Sequence, residues 1–122
     1  MAITHVEKYI LFVLGLCERE LHKRVAGKPL EITLSKSAFI ELVMHSGVAG
    51  KKERALYKNL ESLEHRKLLK YYHSVIHLTE RGEKQFSLIA KTIDPFIRVH
   101  DVLLSTDLLK STKKARAVLV AN

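Results

Sequence analysis

Apolar residues recur at helical spacing in several places along this chain. Phe39, Ile40, Val43 and Met44 form one such set, Leu56, Leu60 and Leu63 a second, and Phe86, Ile89, Ala90 and Ile93 a third. Each fits one face of a helix with about 3.6 residues per turn. From Tyr9 to Cys17 the chain is apolar nearly all round, which predicts a helix buried on two sides. One of those sides is expected to meet the core and the other a second subunit. Two runs of β-branched and aromatic residues, Leu69 to Tyr72 and Val75 to Leu78, flank His73 and Ser74, and this spacing predicts a hairpin with a two-residue loop. His-Ser departs from the Asn-Gly type of pair such loops favour. Leu30 to Leu34 alternates apolar and polar positions and is expected to add a third strand. The pattern defines a mainly α chain with a small antiparallel β element, an α+β class.

Local signals place the boundaries. Thr4-His5-Val6-Glu7 has the form of a capping box and starts the first helix at Thr4, which should run to about Arg24 and end at Gly27-Lys28-Pro29. Ser35 or Ser37 is expected to cap the second helix, and Gly47 to end it with a positive φ. Thr79 is expected to cap the helix after the hairpin. Asp94-Pro95 should kink or break that helix, with Asp94 capping a new one and Pro95 at its first position. Phe96, Val99, Val102, Leu103 and Leu104 then face one way in the last helix.

At 122 residues, 47% hydrophobic and 28% charged, the chain is expected to fold as one domain over residues 1–105, followed by a basic tail, 106–122. In the tail Lys110, Lys113, Lys114 and Arg116 precede Ala117-Val118-Leu119-Val120. The single cysteine, Cys17, excludes a disulfide framework within the chain and suits the reducing cytoplasm. The Tyr9–Cys17 run is too short to cross a bilayer. It also lacks the flanks of a signal peptide, so no membrane association is expected.

The formal net charge is +8, which favours a polyanionic partner. Residues 51–84 carry +4 of it and residues 85–122 carry +3. Within the first of these segments, the side of the helix opposite Leu56, Leu60 and Leu63 collects Lys51, Arg54, Lys58, Glu61 and His65, with Tyr57 and Ser62 at its margins.

A helix with such a face, followed by a small hairpin and then Leu78-Thr79-Glu80-Arg81-Gly82, resembles the winged-helix DNA-binding domains of the MarR and PadR type. The segment Leu34-Ser35-Lys36-Ser37-Ala38-Phe39-Ile40-Glu41-Leu42-Val43-Met44-His45-Ser46-Gly47 looks like the supporting helix, and Ser46-Gly47-Val48 looks like the turn of a helix-turn-helix. Leu60, Leu63, Leu68 and Leu69 match the rhythm that ends such recognition helices. One departure is Lys67, which stands where that rhythm has a glycine. The resemblance covers about residues 1–105 and implies a homodimer joined through its first and last helices.

On this resemblance the candidate DNA contacts can be named. Arg54 and then Lys58 are placed to read base edges in the major groove. Lys51 and Lys52 sit at the helix start, where an approaching phosphate is favoured. Tyr57 and Ser62 are candidate phosphate donors, Glu61 a candidate cytosine reader, and His65 completes the face. In the wing, Lys70, Tyr72, His73 and Arg81 are candidates to reach the backbone or the minor groove. The expected partner is double-stranded DNA, bound by a homodimeric transcriptional regulator. Three alternatives stand beside it: a chromatin-associated protein with little base discrimination, a winged helix used as a protein-interaction module, and a binder of structured RNA.

Nothing in the sequence suggests catalysis. Gly-rich phosphate loops and nucleophile signatures are absent. His73 and His77, if both in one strand, would be about 13 Å apart, too far to share an ion. His5 and His100 can meet only through tertiary folding. No cofactor, metal or enzymatic activity is expected, and a small-molecule effector is left open.

Overall fold

The computed structural model describes residues 2–29 and 33–105. Four helices and two strands occur among them: α1 (His5–Val25), α2 (Lys36–Ser46), α3 (Glu53–His65), β1 (Leu69–Tyr72), β2 (Val75–Leu78) and α4 (Glu80–Leu104). The class is α+β, mainly helical with one two-stranded antiparallel sheet. The basic tail lies outside the described residues. Two compact units divide the chain, one ending at Ile89 and the next beginning at Ala90.

The first unit has a core fed by every one of its elements. Ile10, Leu11 and Leu14 of α1, Phe39 and Val43 of α2, Leu56, Leu60 and Leu63 of α3, and Leu69 and Ile76 of the sheet are almost wholly buried. Thr4 caps α1 through the expected reciprocal box, its hydroxyl accepting from the Glu7 N–H and its own N–H donating to the Glu7 carboxylate. Of the two candidate serines it is Ser35 that caps α2, accepting from the Ala38 N–H at 3.1 Å. Gly47 ends that helix at φ 72°, a conformation that costs glycine little.

The second side of α1 is covered in part within the chain, with Tyr9 left exposed. Phe12 stacks on Phe86 of α4 with ring centres 5.7 Å apart, and Gly15 lets that ring approach, since a Cβ there would fall 2.1 Å from it. The all-round apolar run of α1 therefore does not by itself require a second subunit, as its sequence pattern had implied.

The hairpin pairs Leu69 with Leu78 and Tyr72 with Val75, leaving His73 and Ser74 as a two-residue loop. Both have positive φ, 49° and 65°, the signature of a type I′ turn formed without Asn or Gly. The third strand is only partly realised. Residues 30–32 lie outside the described set, while Ser35 forms a bridge to Val75 and the Ile76 N–H donates to the Leu34 carbonyl at 3.0 Å.

Thr79 does cap α4, its hydroxyl accepting from the Gly82 N–H at 3.0 Å. Of the kink or break expected at Asp94-Pro95, the break with a new helix capped by Asp94 does not occur: Pro95 lies inside α4, which continues to Leu104. A proline removes one helical hydrogen bond and crowds one carbonyl, a loss confined to about one turn, and the helix extends on both sides of it. Within the second unit, Phe96, Val99, Leu103 and Leu104 are exposed.

Candidate nucleic-acid interface

With Leu56, Leu60 and Leu63 buried on one side of α3, the helical turn sets Arg54, Lys58, Glu61 and His65 outward, and all four are exposed. Lys51 and Lys52 are exposed in the turn leading into the helix. Lys52 is the N-cap residue and makes no side-chain cap hydrogen bond, so the first N–H groups of α3 are not taken by a cap. Inside the helix, however, Arg54 and Lys58 are outnumbered by Glu53, Glu61 and Glu64. The positive charge of the segment sits at the two ends of α3, with Lys51 and Lys52 before it and Arg66 and Lys67 after it.

Ser62 does not belong to this outer face. Its hydroxyl donates to Glu7 at 2.9 Å, which corrects its placement among the phosphate donors. The position falls round the helix on the flank that meets α1, where the nearly buried Glu7 carboxylate needs donors. Burial pushes the Glu7 carboxyl up, but the Thr4 N–H, the Ser62 and Thr4 hydroxyls and the nearby Arg66 charge together hold it below the usual carboxylate value.

Tyr57 flanks the opposite side of α3 and is 39% exposed. Lys36, at the start of α2, places its ammonium 5.8 Å from the Tyr57 ring centre and 4.5 Å from that of Tyr71, within cation–π reach. This contact joins α2, α3 and β1. Burial, followed by the charges of Glu64 and Glu61, pushes the Tyr71 hydroxyl up to about 12, so it stays neutral in the physiological range.

On the hairpin, strand alternation turns Lys70 and Tyr72 outward while Leu69 is buried. Tyr72 is 69% exposed, and its ring meets that of His73 edge-on at 4.3 Å. Lys70, Tyr72 and His73 are thus brought together along one exposed arm. Arg81 is not with them. It lies in the first turn of α4, beyond Leu78 at the base of the hairpin, because Thr79 has already capped the next helix. There it lines a cleft with His65 at the far end of α3.

The base of the hairpin is tied to α1 by Glu18, which accepts from the Leu78 N–H at 2.9 Å and has His77 Nδ1 at 3.8 Å. Burial, with help from Glu83, pushes the Glu18 carboxyl up, against the pull of that N–H, His77 and Lys70. Beside it, burial and then Glu18 itself push the Cys17 thiol up, which disfavours the reactive thiolate. No amino-acid pattern marks the pairs Glu7–Ser62 and Glu18–Leu78, or the position of Lys36 over two rings, because each joins residues distant in sequence.

Among the described residues no three His, Cys, Asp or Glu side chains are grouped to hold a metal ion, and no helix is long and apolar enough to cross a membrane. Comparison with protein-family models, with curated proteins and with solved structures finds no match to this chain.

Proposed function

We propose that this chain is a winged-helix protein that binds double-stranded DNA as a homodimer and acts as a transcriptional regulator. In this reading α2, the Gly47 turn and α3 form the helix-turn-helix, α3 enters the major groove, and the β1–β2 hairpin is the wing. The observation that carries it is the exposed cationic start of α3, where Arg54 and Lys58 lie on the side of the helix that the core leaves free and Lys51 and Lys52 are exposed in the turn before it. Lys70, Tyr72 and His73 supply a second exposed arm. The dimer would use α1 and the exposed stripe Phe96, Val99 and Leu103 of α4.

The carboxylates of α3 bear on which kind of DNA binder this is. A protein that coats DNA relies on phosphate neutralisation, and a helix whose acids outnumber its bases serves that poorly. Base-edge contacts, including acceptance from cytosine by Glu61, suit it better. The same charge balance is what favours the rival reading, in which α3 docks on a protein and the flanking lysines serve solubility.

Fluorescence anisotropy of the chain on a random-sequence duplex, titrated from low to physiological salt, separates these readings. The DNA reading expects log affinity to fall linearly with log salt with a slope that counts several phosphates. Absence of binding at low salt would reject it.

A further inference from the structure

The far end of α3 carries a second cationic site, which meets the outward face of the helix only at His65. A cleft of about 470 Å³ is lined by His65, Arg66, Lys67, Arg81 and Gln85, with Leu68 and Ile3 as its apolar part. No carboxylate is among those lining residues, although Glu64, Glu80 and Glu83 are close in sequence. Lys67 and Arg81 form no ion pair with any described residue. Lys67 and Arg81 therefore bring two permanent positive charges to one concavity, a repulsion that an anion would relieve, while Arg66, a third lining cation, already acts on the Glu7 carboxylate.

The site is built rather than incidental. The Lys67 N–H donates to the Glu64 carbonyl and the Leu68 N–H to the Leu63 carbonyl, the paired bonds of a Schellman closure with Lys67 at φ 62°. The Leu63 and Glu64 carbonyls at this helix end are thus occupied. Thr79 then clamps the corner from the other side: its hydroxyl donates to the Lys67 carbonyl at 2.6 Å and its N–H to the Leu68 carbonyl at 3.2 Å. Arg66 is steadied by donation to the Ala2 carbonyl at 3.1 Å. Arg81 and Gln85, four residues apart on α4, present one face to the same cleft.

We propose that this cleft binds a small phosphorylated ligand, with its phosphate groups among Lys67, Arg66 and Arg81 and an apolar part of the ligand against Leu68 and Ile3. Guanidinium groups bond phosphate in bidentate fashion, and the volume lies in the range of small-molecule sites. The inference does not rest on the DNA reading. α3 spans 13 residues, so its two ends are about 18 Å apart.

Isothermal titration calorimetry at about 0.15 M salt tests it, with pyrophosphate, ADP and adenosine as probes. Pyrophosphate and ADP are expected to bind and adenosine not to. Lys67→Gly combined with Arg81→Gln should weaken ADP binding at least about tenfold, since glycine keeps the positive φ and Arg81 is exposed, while Arg54→Ala with Lys58→Ala should leave it unchanged. Amide shifts in the unaltered protein on adding ADP should cluster at 66–68, Arg81 and Gln85, a readout that needs no variant. The proposal is overturned if millimolar ADP and pyrophosphate give no heat, if shifts scatter over all lysines, or if the Arg54 and Lys58 pair weakens ADP equally. It also fails if the Lys67 and Arg81 pair weakens only duplex binding, which would make the cleft an extension of a DNA surface.

Discussion

The Ser62 hydroxyl and the Glu7 carboxylate, 55 residues apart in the chain, meet at 2.9 Å. The bond fastens α3 to the first turn of α1 and so fixes which side of α3 looks outward. Glu7 is 2% exposed, and removing a donor to a buried charged acceptor costs about 1.5 to 3 kcal/mol. Ser62→Ala should lower stability by that order in urea unfolding.

The same pair gives an acid dependence. Burial opposes ionisation of Glu7, but its donors win and the folded-state value lies below the ordinary 4.5. A carboxyl whose value is depressed by folding contributes stability that is present above its unfolded value and lost as pH falls through the folded one. Thermal unfolding followed from pH 7 down to about 3 should therefore show a loss below the ordinary carboxyl value that is smaller in Glu7→Gln. An identical acid profile in the two proteins would contradict the assignment.

Gly82 marks where α4 meets the corner after α3. A Cβ built there falls 1.9 Å from the Leu68 carbonyl oxygen, a backbone atom already bonded to the Thr79 N–H. Gly82→Ala must move one backbone against another and should cost about 1 to 3 kcal/mol or more. Denaturant titration reads it directly.

Much of this fold is legible in the sequence because its signals are local. The Thr4 box, the Gly47 stop, the Leu56, Leu60, Leu63 stripe and both strands depend on neighbours within a few residues. What escaped is either long-range, as with Ser62, or a choice among backbone states that composition does not reveal. Lys67, His73 and Ser74 all take positive φ without being Gly, Asn or Asp. Hydrogen bonding from both sides holds Lys67 there, and the pairing of Tyr72 with Val75 holds the loop. The break expected at Pro95 failed for a related reason, since one lost hydrogen bond does not end a helix whose turns continue on either side.

That conformational choice is itself testable. An L-residue in the left-handed region gives up about 1 to 2 kcal/mol, and Asn-Gly is the pair a type I′ loop favours. Replacing His73→Asn together with Ser74→Gly should raise the melting temperature. If the exposed arm of Lys70, Tyr72 and His73 touches DNA through its histidine, the same variant should bind duplex more weakly while being more stable, an opposition that a purely structural loop would not show.

The proposed reading face can be separated from the core that supports it by contrasting two substitutions on α3. Leu60 is 1% exposed, and Leu60→Ala should cost about 2 to 5 kcal/mol, loosening the domain and any binding with it. Arg54 and Lys58 are exposed on the opposite side, so Arg54→Ala with Lys58→Ala should leave the unfolding midpoint nearly unchanged. In anisotropy at fixed salt the double variant should bind duplex DNA at least about tenfold more weakly, a loss of about 1.4 kcal/mol. Its salt slope then distinguishes the roles of the two side chains: a slope smaller by about two would assign both to phosphates, whereas an unchanged slope with reduced selectivity between sites would assign them to base edges. A double variant that bound as tightly as the parent, with the same slope, would remove α3 from the interface.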